Sequence, residues 1–138
     1  MHFTTLYILK NEELDNVNLS TIEEDFSERF CYCCGETRPR YRWWCDWFQI
    51  GGRWCDMLRA SKGIKGKRSW CNEDEKDQKG HFSVAEIKDL KGKIELENIY
   101  AVATKSRIYE GDEEIQKWLD KINNKTFKGV VALIDCHD

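Results

Sequence analysis

The sequence lacks several signals that mark common classes of protein. It has no apolar run of about 18 residues, the length a membrane-spanning helix needs. It has a single proline in 138 residues, so no proline-rich linker divides it. No secretory signal peptide is recognisable at the start, and glycine-rich phosphate loops, the nucleophile elbow and the H-E-x-x-H zinc motif are missing. These absences predict one cytoplasmic domain over residues 1–138 without a membrane segment, and they favour a binding protein over an enzyme.

Charge is unevenly distributed along the chain. The net charge is −3, yet residues 38–68 hold nine basic and two acidic residues, whereas residues 11–28 hold seven acidic residues and no Lys or Arg. Such asymmetry predicts a charged partner, either a polyanion at the basic segment or a basic protein at the acidic one. The alternative is that the two segments neutralise each other across the fold.

Cysteine is abundant, but its pattern is not that of the disulfide framework of a secreted protein. There are seven cysteines, an odd number, and six of them lie within residues 31–80 together with five of the six tryptophans. Reduced core thiols are one interpretation, so that no cofactor is needed. A structural zinc ion is the other, although the spacing lacks paired C-x₂-C knuckles. Its candidate ligands are Cys31, Cys33, Cys34, Cys45, Cys55 and Cys71.

Hydrophobic periodicity predicts an α+β fold. Residues 2–9 and 129–138 are typical of strands, and residues 112–123 of an amphipathic helix. A helix is predicted over residues 20–30, capped by Ser20 with Glu23, and a shorter one begins at Ser83. The order favours a ferredoxin-like antiparallel sheet with its helices on one face and a long Trp/Cys-rich basic insert at residues 31–80.

The C-terminal "DCHD" is the first candidate site. On a strand, Asp135 and His137 lie on one face and Cys136 on the other. In a ferredoxin-like sheet the last strand runs antiparallel to the first, which predicts that His137 lies near His2. Asp135 and His137 are therefore candidate catalytic residues, with a structural hydrogen-bonding role for Asp135 as the alternative.

The segment "WWCDWFQIGGRW" is the second candidate site. It predicts a strand, a Gly-Gly turn and a returning strand, since Gly51 and Gly52 both tolerate a positive φ. An arginine beside such a turn, among tryptophans, suits an anion or a nucleobase, and a plain packed hairpin is the alternative. Adding the basic loop that follows, the candidate binding residues are Trp44, Asp46, Gly52, Arg53, Trp54, Lys65, Lys67 and Arg68.

The "WCDWFQIGGRW" core, together with the N-terminal "MHF" and the C-terminal "VVALIDCHD", resembles a group of small proteins of bacteria and their phages. That group has a W-D-W-Y/F-x-I-G-G-R-W-like core and a V-D-C-H-like end, and Cys45 departs from its pattern. The resemblance implies a phage-type context. Small phage proteins of this size often inhibit bacterial defence machinery, an association that rests on context rather than on chemistry.

These observations rank three functions. The first is a phage-type binding protein that engages a host protein or ribonucleoprotein, such as a CRISPR effector nuclease, with nucleic acid as a further partner of the basic insert. The second is a nucleotide- or anion-binding enzyme that uses Arg53 with Asp46 and the Asp135/His137 pair. The third is a zinc-stabilised structural module.

Overall fold

A long C-terminal strand at the centre of a mixed sheet organises the fold. The structure, a computed structural model, describes residues 1–31, 44–54, 56–67 and 79–138. Its strands and helices are β1 (His2–Lys10), α1 (Leu19–Phe30), β2 (Trp47–Ile50), β3 (Leu58–Arg59), β4 (His81–Phe82), β5 (Val84–Glu86), β6 (Ala101–Ala103), β7 (Ile108–Tyr109), α2 (Asp112–Asn123) and β8 (Gly129–His137). The α+β class predicted from the sequence is confirmed.

The central strands pair as β2-β8-β1-β6-β7, and β5 also pairs with β8. β1 and β8 are antiparallel over nine residue pairs, from His2 opposite His137 to Lys10 opposite Gly129. β1 and β6 are parallel. The far edge of β8 is shared by two short strands, since β2 pairs with its C-terminal half and β5 with its N-terminal half. β8 is therefore hydrogen-bonded along both edges.

The prediction that both helices cover one face is wrong. α1 packs with Tyr7 and Ile134 on one face of the sheet, whereas α2 packs with Leu6 and Leu133 on the other. Alternate residues of β1 and β8 point to opposite faces, and both sets are apolar, so each face needs a helix to cover it. The ferredoxin-like strand order fails as well, because β2 joins the edge of β8.

Two local predictions also need correction. The "SVAEIKDLKG" segment is not a helix: Val84–Glu86 is strand β5, and a 3-10 turn follows it. The open edge of β8 offers this short apolar run a sheet partner, which outweighs its capping pattern. At the start of α1, the N-cap is Asn18 and not Ser20. Its side chain accepts from the Thr21 backbone N–H, and the Thr21 hydroxyl accepts from the Asn18 N–H.

Tyr7 is the largest polar group in the core beneath α1. Its ring is fully buried, edge-on to Phe26, and its hydroxyl donates to Asp25. Burial, and then the hydrogen bond to Asp25, raise the pKa of Tyr7 well above its ordinary value of about 10. The folded state therefore favours the neutral phenol.

Tyr7→Phe is expected to lower the free energy of unfolding by about 1 kcal/mol at neutral pH, since one buried hydrogen bond is lost. Above about pH 10 the unfolded tyrosine ionises and the folded one does not, so wild-type stability falls as pH rises. Tyr7→Phe has no hydroxyl to ionise at this position, so its stability does not show this part of the decrease with pH. Urea unfolding at pH 8 and at pH 11 measures both effects. Tyr100→Phe, at a half-exposed ring, is the control; equal pH dependence in wild type and Tyr7→Phe would contradict the expectation.

None of the helices in the described part of the chain is long and apolar enough to cross a membrane.

Candidate functional site at the end of the sheet

A polar cluster lies where β1, β2 and β8 meet at one end of the sheet. Strand register places His2 opposite His137, and Trp47 opposite His137 on its other side. Directly paired residues share a face, so these three rings lie on the α2 face with Asp135, two residues before His137. We call His2, Trp47, Asp135 and His137 the sheet-end site. The sequence-based prediction that His2 lies near His137 is confirmed.

The Asp135 carboxylate is the centre of the sheet-end site. It is fully buried. One oxygen, Oδ1, lies 2.8 Å from His2 Nδ1, and the other, Oδ2, accepts the Arg53 backbone N–H at 2.8 Å. A carboxylate has acceptors only, so His2 Nδ1 carries the proton and Nε2 is the basic nitrogen of the neutral ring. Asp135 therefore fixes both the orientation and the tautomer of His2.

A tight turn covers Asp135. Gly51 and Gly52 have φ of +90° and +51°, and the chain enters a 3-10 turn over Gly52–Trp54. The predicted hairpin with a returning strand is wrong here: the Gly51 N–H donates to Leu133 O on β8, and the Gly52 N–H donates to Lys67 O. These bonds place the backbone against the carboxylate, where a side chain on Gly52 would collide with it.

The three rings of the sheet-end site pack on one another. Trp47 and His137 are stacked, with ring centroids 5.0 Å apart and planes 14° apart. His2 meets both rings edge-on, with centroid distances of 5.4 Å to Trp47 and 5.1 Å to His137. The His2 side chain keeps 12% of its surface exposed. The ring is held in a fixed orientation and still reaches solvent.

Two buried polar atoms at this end of the sheet lack partners. His137 Nδ1 and Gln49 Oε1 are buried and form no hydrogen bond within residues 1–31, 44–54, 56–67 and 79–138. Gln49 pairs with Asp135, so it shares the face of the sheet-end site. An unpaired buried polar group costs about 1–3 kcal/mol. Both atoms therefore carry a desolvation cost that no described residue offsets.

The structure places the predicted binding residues at several points of the fold. The Arg53 backbone N–H donates to Asp135 Oδ2, and the backbone of Gly52 lies against the same carboxylate. Trp44 lies on the α1 face, where its Nε1 donates to Thr5 Oγ1 at 2.8 Å. The Asp46 side chain is exposed, and its backbone N–H donates to His137 O. Trp54 lines a separate cleft. Trp44 therefore lies on the face of the sheet opposite to Asp135, and a common site for Trp44, Asp46 and Arg53 stays a prediction.

The basic loop makes contacts within the fold. Lys65 Nζ donates to the His81 carbonyl at 2.6 Å, and Lys67 Nζ lies 3.2 Å from a Glu23 oxygen on α1. The pair of Lys67 with Glu23 is the kind of contact expected if the acidic and basic segments neutralise each other. Arg68 lies outside the described residues.

Three thiols meet on the opposite face of β8. Cys31 and Cys45 form an isolated parallel bridge and are buried with Cys136. Hydrogen bonding to Cys136, followed by burial, raises the pKa of the Cys45 thiol far above its ordinary value. The sequence predicted that Cys136 lies on the face of β8 opposite to that of Asp135 and His137. It did not predict that Cys136 neighbours Cys31 and Cys45.

The zinc prediction receives no support from the described cysteines. In the part of the chain that the structure describes, no group of three or more His, Cys, Asp or Glu side chains is arranged to hold a metal ion. The other four candidate ligands, Cys33, Cys34, Cys55 and Cys71, lie outside the described residues. Zinc at those positions stays a prediction.

Sequence reasoning also missed Trp47 and Gln49 as members of this end of the sheet. Their two-residue spacing on a strand was a signal that they share a face. That face could be assigned to Asp135 only once β2 was known to pair with β8.

No protein-family model, curated protein or solved structure matches this chain.

Proposed function

We propose that the chain is a nucleotide- or anion-binding enzyme in which His2, held by Asp135, is the proton acceptor. The observation that carries the proposal is the buried carboxylate that binds His2 Nδ1 and the Arg53 N–H at 2.8 Å each. A buried carboxylate on Nδ1 holds an imidazole in the tautomer that lets Nε2 act as a base. Asp46 is not part of this proposal, because its side chain is exposed whereas the Asp135 carboxylate is buried.

The simplest reaction for this pair is hydrolysis of a phosphate ester. His2 Nε2 takes a proton from water as the water oxygen attacks phosphorus. The phosphorus–oxygen bond to the leaving group then breaks, and the departing oxygen receives the proton from His2. Stacking of Trp47 on His137, with His2 edge-on to both, keeps the imidazole from rotating away. A positioned general base contributes about 10²–10⁴-fold in rate.

The test is phosphate release from nucleoside mono-, di- and triphosphates, followed with the purified chain. We expect wild type to release phosphate from at least one of them and His2→Gln to be slower by about 100-fold or more. His81→Gln is the matched control, because His81 lies on β4, in the separate two-stranded sheet of β3 and β4. Absence of phosphate release by wild type would contradict the proposal, as would His2→Gln activity equal to that of His81→Gln.

The phage-type inhibitor, with a host protein, a ribonucleoprotein or nucleic acid as its partner, stays a prediction. Its main support is the charge asymmetry, and part of that charge is paired within the fold through Glu23 and Lys67. The geometry around Asp135 gives the enzyme proposal the more specific support.

A further inference from the structure

A cleft next to the sheet-end site has the composition of an anion site. Its volume is about 100 Å³, and its lining includes Trp54 and the half-exposed Met57. Four buried apolar residues also line it: Leu58, Leu90, Ile99 and Leu133. A fully enclosed benzene needs a cavity of about 150 Å³, so a planar base enters this cleft only in part and keeps its remaining surface in solvent.

Three cations surround the cleft. Arg59, Lys91 and Lys93 line it, against a single carboxylate, Glu95. All three are exposed, and none of them forms an ion pair with another described residue. Elsewhere in the described chain, lysines do form such pairs, for example Lys67 with Glu23 and Lys128 with Glu13. The described carboxylates therefore do not pair with the positive charge at the cleft.

The backbone fixes the positions of these cations. The Lys91 N–H donates to the Arg59 carbonyl at 2.8 Å, so the two residues lie side by side. Gly92 follows with φ of +77°, and Arg59 Nη1 lies 3.6 Å from the position that its Cβ would take. Asn123 of α2 then anchors the chain by bonding both the N–H and the carbonyl of Ile94. An anchored backbone removes the loop-ordering part of the cost of binding, whereas the exposed side chains must still be ordered.

The cleft and the sheet-end site share one face of the sheet. Thr4 and Leu133 belong to the cleft lining. Two residues further along the same strands, on the same face, lie His2 and Asp135, and a two-residue step along a strand covers about 7 Å. A ligand longer than one ring therefore lies within reach of both places.

We infer that this cleft binds a mononucleotide, with its planar base beside Trp54 and its phosphate at Arg59, Lys91 and Lys93. Indole faces and apolar walls suit a nucleobase, and clustered Arg and Lys side chains suit a phosphate. The inference rests on the proposed function, because it names the cleft as the place where the substrate of the proposed enzyme binds. Binding of the mononucleotide is nevertheless tested without turnover.

The experiment is titration calorimetry at low ionic strength with adenosine 5′-monophosphate, adenosine, ribose 5-phosphate and inorganic phosphate. We expect saturable binding of the mononucleotide with a dissociation constant below about 1 mM, and binding at least about tenfold weaker for each of the other three. Binding should weaken with added salt, because exposed charges are screened. Equal affinity for the mononucleotide and inorganic phosphate would overturn the inference.

Two variants assign the binding to the cleft. Lys91→Ala with Lys93→Ala is expected to weaken mononucleotide binding by about tenfold, since two of the three cations are lost and solvent partly screens exposed charges. Lys62→Ala with Lys105→Ala is the matched control, because both lysines are exposed and neither lines the cleft. Trp54→Leu is expected to abolish the preference for the mononucleotide over ribose 5-phosphate. Equal affinities of the two double variants would overturn the inference.

The binding and turnover experiments can fail separately. Mononucleotide binding that depends on Lys91 and Lys93, without any phosphate release, would support the cleft and contradict the role of His2. Phosphate release that depends on His2 but not on these lysines would contradict the cleft and support His2. In the binding assay His81→Gln should behave as wild type, because His81 does not line the cleft.

Discussion

Gly52→Ala is expected to lower the free energy of unfolding by about 3 kcal/mol or more. A Cβ on Gly52 would lie 2.3 Å from Asp135 Oδ2 and 2.5 Å from Asp135 Cβ. The carboxylate cannot move aside, because it is buried and bonded to both His2 and the Arg53 N–H. Clashes of this kind in a packed interior cost about 1–3 kcal/mol, and the positive φ adds about 1 kcal/mol more.

Urea unfolding of Gly52→Ala and of Gly111→Ala separates the cost of the clash with Asp135 from the cost of the positive φ. Gly111 also has a positive φ, +89°, but nothing lies within 4 Å of its Cβ position. Gly111→Ala should therefore show the backbone cost alone, about 1 kcal/mol. If both variants lose the same stability, the close contact between Gly52 and Asp135 is not what requires glycine.

Asp135→Ala is expected to cost about 3 kcal/mol of unfolding free energy. The substitution removes the acceptors of both the Arg53 N–H and His2 Nδ1 and leaves space where the carboxylate was buried. Each unpaired buried polar group costs about 1–3 kcal/mol. Asp135→Asn should cost less, because its amide oxygen still accepts from one of the two donors.

Asp46→Ala is the control for Asp135→Ala. Asp46 is an exposed aspartate at the start of β2, and such surface substitutions change stability by about 0.5 kcal/mol or less. Equal unfolding midpoints for Asp46→Ala and Asp135→Ala in urea would show that the Asp135 contacts do not stabilise the fold.

The termini of the sheet were predictable from sequence because they depend on local alternation. The two-residue period of β8 separated Cys136 from Asp135 and His137, and antiparallel pairing of the first and last strands brought His2 to His137. The helix at Asp112–Asn123 was also predictable from a local pattern, since its apolar residues recur on one face of a helix.

What could not be predicted depends on partners distant in sequence. The Val84–Glu86 strand has a helix-like capping pattern, and only the open edge of β8 makes it a strand. The Gly51–Gly52 turn matches a hairpin, but hydrogen bonds to Leu133 and Lys67 direct the chain into a 3-10 turn. The cations of the cleft come from two segments that the Arg59–Lys91 contact joins, so no local motif marks them.

The account depends most on the contact between Asp135 and His2. Long-range proton–nitrogen NMR spectra of the histidine rings, recorded at alkaline pH with the rings neutral, report which nitrogen carries the proton. The structure predicts that His2 is protonated at Nδ1 and that Asp135→Ala removes this preference. A His2 ring protonated at Nε2 in the wild-type protein would contradict the hydrogen bond and, with it, the assignment of His2 as the proton acceptor.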